Sequence, residues 1–302
     1  MKIADEIARL KRERNAVILA HNYQLPEVQD IADFVGDSLG LSIQAAGTGA
    51  QVIVFCGVHF MAETAKILSP QKTVLLPDTH AGCPMADMID AGQLRALKAE
   101  HPGAKVLCYV NTTAEVKAEC DLCCTSANAV SIVRDAMKGG EEIIFVPDRY
   151  LADHVTAETG CGLVTWNGFC PTHAAILPED IGRQKELHPH AVVMAHPECT
   201  PGVRELADKV LSTEAMCWYA HEMKASEFIV ATEVGILHRL RKQDPDKDFY
   251  PASDEAICPN MKLTTPQKVL LSLQEMQHEI ELPRETIAQA KKCIQRMLIY
   301  RT

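Results

Sequence analysis

The chain has 302 residues, 47% of them hydrophobic, enough apolar material for two or three small cores and too much for a disordered chain. A formal net charge of −10 excludes a general nucleic-acid grip, which needs a surplus of clustered Lys and Arg. Twelve cysteines in a long chain read as reduced thiols or metal ligands rather than a disulfide scaffold.

The first residues, MKIADEIARLKRER, form a charged amphipathic helix pattern, with no apolar run long enough for a signal sequence or a membrane span. A cytoplasmic chain with small-molecule substrates is expected, with no membrane and no nucleic acid among its partners. Short apolar runs then alternate with amphipathic helical stretches: AVILA (16–20), QVIVF (51–55), TVLLP (73–77), KVLCYV (105–110), EIIFV (142–146), AVVMA (191–195) and EFIVA (227–231). That pattern is the one βα units produce around parallel sheets buried on both faces.

The same plan occurs three times. ILAHNYQLPE, VLCYVNTTAE and VVMAHPECTPG each open with a strand ending in a ring residue, and His21, Tyr109 and His196 stand 88 and 87 residues apart. Seventeen residues further on comes a hydroxyl: Ser38, Ser126 and Thr213, the last with Ser212 beside it. A cysteine followed by proline closes each copy, at Cys83, Cys170 and Cys258, separated by 87 and 88 residues. About 0.6 Cys-Pro pairs are expected by chance in a chain of this composition, so three at the repeat period select three cysteines out of twelve.

In βα units, ligands collect at the carboxyl ends of the strands, where helix N-termini face a crevice. Pro26 and Pro201 suit first helical turns, and Thr112, Thr113 and Thr200 suit N-caps. Ser38, Ser126 and Ser212/Thr213 are expected to cap helices while leaving backbone N–H groups free for an anion. Three cysteines far apart in sequence do not suit a four-ligand structural zinc, whereas a [4Fe–4S] cluster held by three leaves one iron open as a Lewis acid.

The motifs HNYQLPEVQDIADFVGDSLGL, CGVHFMAETAKIL, AGCPMAD, YVNTTAE, CTSANAV, FVPDRYLA, GFCPTH, HPEC, ATEVGILHRL and CPNMK, in this order, resemble those of the quinolinate synthase family over nearly the whole chain. The resemblance implies condensation of iminoaspartate with dihydroxyacetone phosphate to quinolinate, with release of phosphate and two waters, for NAD biosynthesis. It implies a [4Fe–4S] cluster on Cys83, Cys170 and Cys258 with one open iron, and a functional link to an aspartate oxidase or dehydrogenase that supplies iminoaspartate. It further implies that His21, Tyr23, Tyr109, Asn111, His173, His196 and Glu198 line the site. Ser38, Ser126, Ser212 and Thr213 would hold carboxylate or phosphate oxygens, with Glu198 as proton shuttle and Tyr23, Tyr109 and His196 beside it. Independently, Glu198 lies on a crevice loop between His196 and Cys199, where a condensation with two dehydrations needs a proton-transfer group.

Other motifs carry less. CDLCC (Cys120, Cys123, Cys124) resembles half of a zinc or redox motif and has no second half, so packed thiols are expected there. His59 follows a strand, but its counterparts, 148–150 and 233–235, are chemically unlike it. No nucleotide-phosphate glycine loop occurs.

The expected fold is α/β: three homologous three-layer αβα modules with parallel sheets about a pseudo-threefold axis, and the active site at their junction. The modules are read as 1–84, 85–172 and 173–302, with the segment from about Thr265 packing back on the first. Two rival functions remain, another cluster-dependent hydro-lyase and an iron–sulfur sensor or electron carrier. A carrier would have little use for three anion seats and several polar strand ends.

Overall fold

The computed structural model describes residues 3–300. Among these residues twelve strands form three separate four-stranded sheets, with every pairing between strands parallel. The first sheet holds β1 (Ala16–His21), β2 (Phe34–Gly36), β3 (Val52–Cys56) and β4 (Thr73–Leu75). The second holds β5 (Lys105–Tyr109), β6 (Leu122–Cys124), β7 (Ile143–Val146) and β8 (Leu163–Thr165). The third holds β9 (Val192–Ala195), β10 (Lys209–Val210), β11 (Glu227–Ala231) and β12 (Asp248–Pro251).

Strand order is the same in all three: second, first, third, fourth. The first strand of each module is therefore central, and on either side of it the chain leaves in opposite directions, which opens a crevice at its carboxyl end. That end carries His21, Tyr109 and, just past β9, His196. Helices cover both faces, so the inner strands are apolar throughout: all five residues of β3 and all four of β7 are buried.

One device fixes each module and escaped the sequence reading. Asp33, Asp121 and Asp208, 88 and 87 residues apart, each accept a backbone N–H from the central strand. The partners are Ile18 (2.8 Å), Val106 (2.9 Å) and Val193 (2.8 Å), which share the period. Each carboxylate takes the N–H that the short second strand leaves unpaired, so the module's edge closes without a buried orphan donor.

Pro26 and Pro201 open their helices as expected, and Thr113 caps Ala114–Ala118. Thr200 precedes its helix without a side-chain bond, and the Thr112 hydroxyl donates to the Tyr109 carbonyl instead. Beyond Thr265 the chain divides. The helix Pro266–Glu275 packs on Ile3–Glu13 and β3 of the first module, whereas the final helix, Arg284–Met297, lies mainly on Ala114–Ala118 and β6 of the second and also touches His59–Leu68 of the first.

Candidate active site

The three strand ends open into one cavity, to which every module contributes. The first supplies His21, Tyr23, Ser38 and Cys83; the second Tyr109, Asn111, Ser126 and Cys170; the remainder of the chain supplies His173, His196, Glu198, Thr213 and Cys258. Of the residues expected to form the site, only Ser212 does not line it. Ser212 is the N-cap of the helix Thr213–Glu222, accepting from Ala215 N–H at 3.4 Å.

The other hydroxyls do not cap as expected. Asp37 caps the helix Ser38–Gly47 by accepting from Gly40 N–H, which puts Ser38 at the first helical position, facing the cavity. Ser126 sits in the turn before the helix Ala129–Ala136 and meets His196 Nε2 at 3.1 Å. Thr213 accepts from the Asn22 amide at 2.9 Å, a bond between the first and third modules. Freed from capping, Ser38 and Ser126 keep their hydroxyls for the cavity.

His21 and His196 share a device that orients their rings. His21 Nδ1 accepts from Tyr23 N–H at 3.2 Å, and His196 Nδ1 accepts from Glu198 N–H at 3.3 Å. Burial pushes both imidazoles down to about 3, so both are neutral and carry their proton on Nε2. The His196 Nε2–H therefore donates to Ser126. These rings act as hydrogen-bond donors without adding formal charge.

Glu198 is the hub. Its carboxylate accepts from the Tyr109 phenol through Oε1 and lies 2.9 Å from His173 Nδ1 through Oε2. Burial pushes its pKa up, but His173, His196 and the Tyr109 hydrogen bond outweigh burial and hold it well below the usual carboxylate range. An ionised carboxylate only accepts, so His173 Nδ1 carries the proton and Nε2 faces Thr232 Oγ1 at 2.8 Å. Thr232 in turn meets the Tyr23 phenol at 2.6 Å. A continuous chain results: Tyr23, Thr232, His173, Glu198, Tyr109. Burial together with the Glu198 charge raises both phenols, which therefore remain donors.

Cys83, Cys170 and Cys258 form the thiol side of the cavity. Cys170 and Cys258 each precede a helical turn opened by the following proline. Cys83 lies in the loop before the turn Ala86–Met88, and its carbonyl accepts from Asp87 N–H at 3.2 Å. Burial pushes the Cys83 thiol up to about 12 and raises Cys170 and Cys258. Three half-buried thiols whose charges would repel one another need a cationic centre to stay ionised. Cys170 Sγ also lies 3.1 Å from His173 Nδ1, so Cys170, His173 and Glu198 form a compact group of metal-binding atoms.

The sequence profile of the family described as Quinolinate synthetase A protein matches residues 5–299. The chain belongs to that family. It is 55% identical over 296 residues to a quinolinate synthase of Dehalococcoides mccartyi (strain CBDB1), covering 98% of this chain and 97% of the relative. It is 53% identical over 297 residues to that of Methanosarcina barkeri, with 98% and 97% covered. For that of Thermodesulfovibrio yellowstonii the identity is 54% over 298 residues, with 98% of each covered.

Glu233 also lines the cavity, and Thr232 and Asp148 lie outside its lining. Thr232 bridges Tyr23 and His173, as above. Glu233 is fully buried, pairs with Lys262 at 2.7 Å and accepts from Cys258 N–H at 3.1 Å and Gly235 N–H at 2.7 Å. Asp148 caps the helix Arg149–Thr159 through Oδ1; its Oδ2 is buried without a hydrogen-bond partner, and burial and the Glu198 charge raise its pKa. Asp148 and Glu233 follow the third strands of their modules and are both acidic, a likeness visible in the sequence but masked by comparing each with His59. His59 itself is exposed and does not line the cavity. Asn111 lines the cavity with its carbonyl oxygen buried and unpartnered.

Proposed function

We propose that this chain is a quinolinate synthase: it condenses iminoaspartate with dihydroxyacetone phosphate to quinolinate, releasing phosphate and two waters. The observation that carries the reading is the opening of one Cys-Pro cysteine from each repeat into the cavity that holds Glu198 and its hydrogen-bonded chain. The enzyme works in the cytoplasm, in NAD biosynthesis, and an aspartate oxidase or dehydrogenase supplies its iminoaspartate.

The donor set fits a [4Fe–4S] cluster. Three soft thiolates, one per module, suit iron–sulfur ligation, and the cavity they open into also carries His21, Ser38, Tyr109 and Glu198. Cys83, Cys170 and Cys258 would hold it. When bound, it supplies a Lewis-acidic iron and offsets the charge of the thiolates.

The chain's own residues bind, orient and move protons. The Nε2–H groups of His21 and His196 and the hydroxyls of Ser38, Ser126 and Thr213 hold carboxylate and phosphate oxygens; among the described residues no Lys or Arg lines the cavity. The unpartnered Asn111 oxygen accepts from an N–H or O–H of substrate. Glu198 takes a proton during condensation, and Tyr109 and His173, hydrogen-bonded to its two oxygens, stabilise or return it. Tyr23, reached through Thr232 and His173, lies at the far end of that chain.

Anaerobic reconstitution of single variants tests the ligand set. Cys83→Ala, Cys170→Ala and Cys258→Ala should each lose the iron–sulfur absorbance, while Cys123→Ala keeps it. A complete cluster in any of the first three would remove that cysteine from the set.

A further inference from the structure

The loop between β5 and the helix Ala114–Ala118 brings Asn111 to the cavity, and two buried charged side chains outside the lining hold that loop. Lys117, on the helix, turns its fully buried ammonium back onto the carbonyls of Val110 (2.7 Å) and Thr112, the residues on either side of Asn111. Glu63, on the helix His59–Leu68 of the first module, accepts from Ala114 N–H through Oε2 at 2.9 Å. The Lys117 ammonium also lies over the Phe60 ring, 5.4 Å from its centre, and Phe60 lines the cavity. These contacts join the first and second modules at the cavity wall.

Two features separate Lys117 from a lysine that fills a seam. Among the described residues it forms no ion pair with a carboxylate, and a buried cation without a counter-charge is costly. The second feature is what it holds. The Val110 carbonyl also accepts from Thr112 N–H at 2.9 Å, and the Tyr109 carbonyl accepts from the Thr112 hydroxyl at 3.1 Å, so the loop is fixed at the carbonyls of Tyr109, Val110 and Thr112. The Asn111 carboxamide oxygen, in contrast, is buried without a partner in the cavity wall. Fixing the backbone on both sides of Asn111 fixes the direction in which its side chain leaves, and with it the place where that oxygen meets a ligand.

We infer that Lys117 is a positioning residue: its ammonium sets the place of Asn111 and, through it, the grip on one of the two substrates, a role that rests on the proposed quinolinate synthesis. Lys117 itself lies outside the cavity lining and takes no part in proton transfer. Glu63 holds the far end of the same loop.

Without the ammonium, the carbonyls of Val110 and Thr112 lose a donor and the backbone between them shifts. The Asn111 oxygen then misses its partner on the substrate, while Glu198 keeps its hydrogen bonds. A contact that grips substrate and transition state alike shows in KM rather than in kcat.

The test measures steady-state quinolinate formation by the anaerobically reconstituted wild type, Lys117→Met, Asn111→Ala and the double variant, with the iron–sulfur absorbance recorded on each. Lys117→Met keeps the apolar stem and removes the donors. In both single variants the KM of the same substrate should rise about tenfold, with kcat within about threefold of wild type and the absorbance unchanged. The double variant should be no weaker than Asn111→Ala alone, because a residue that acts through Asn111 then has nothing left to position. Lys185→Met serves as a control: it removes a lysine from the Ala191 carbonyl (3.0 Å), outside the cavity lining, and should behave as wild type. Wild-type KM values in Lys117→Met, a KM raised for different substrates in the two single variants, or losses that multiply in the double variant would each overturn the assignment. Should Lys117→Met not fold, Lys117→Gln, which keeps two donors on a shorter stem, goes through the same comparison; failure of both to fold would make Lys117 a folding residue and overturn the assignment as well. A wild-type protein that makes no quinolinate would overturn the proposed activity and this role with it, whereas contrary variants beside an active wild type overturn the role alone.

Discussion

Glu198 is buried, yet three neighbours keep it ionised, which is the state a proton acceptor needs before the reaction. Glu198→Gln keeps the shape but removes the base and replaces one of the two accepting oxygens by a donor. Turnover should fall by roughly two to four orders of magnitude while the cluster assembles normally; near-normal turnover would leave Glu198 a structural acceptor for Tyr109 and His173. Thr232 acts one step away, through the residues it joins. Thr232→Val should lower turnover about tenfold, the loss expected for a hydrogen bond worth about 1–1.5 kcal/mol, and Thr232→Ser should restore most of it. Failure of the serine to rescue would mean that the methyl group, not the hydroxyl, is what the site needs. Cys83, Cys170, Cys258 and the strand-end residues were legible in the sequence because they recur at one period. Thr232 was not, since it sits at the end of β11 in an apolar run and has no polar counterpart in β3 or β7.

Among the elements, the helices after the second strands were read correctly in place, but of their caps only Ser212 was read correctly. In VGDS the cap is Asp37, one residue before the serine chosen, because Ser38 already occupies the first helical position. Burial raises the Asp37 carboxyl to about 6, against the backbone hydrogen bond from Gly40, which lowers it. A carboxyl whose folded pKa exceeds its unfolded value favours folding while protonated, and that contribution is lost as pH rises through about 6. Asparagine caps equally well and carries no charge. Asp37→Asn should therefore unfold at a higher temperature than wild type near pH 8, with the difference disappearing near about pH 4. An equal difference at both values would show that Asp37 is charged in neither or in both. The matching Asp33, Asp121 and Asp208 bonds carried a sequence signal that went unread: the repeat was sought in strand ends and cysteines, while these carboxylates precede the second strands and look like loop charges.

For the molecule as a whole, the alternation of apolar runs with helical stretches was sufficient to place three parallel sheets, because strands covered on both faces leave no polar side to confuse the pattern. The packing of Pro266–Glu275 on the first module was read correctly, but that of the final helix on the second was not legible. Amphipathic helices such as Arg284–Met297 show that one face is buried without naming the surface that buries it. The bond from the Asn128 amide to the Tyr300 carbonyl, at 3.2 Å, is a contact between residues 172 positions apart that no local pattern encodes. The site depends on the same long-range assembly, since a cavity lined by all three modules exists only when they are docked. The most direct measurement is quinolinate formation by the anaerobically reconstituted protein supplied with iminoaspartate and dihydroxyacetone phosphate. The account predicts quinolinate and phosphate in equal amounts from the wild-type protein and neither from Cys258→Ala. A fully reconstituted wild-type protein that makes no quinolinate would contradict it.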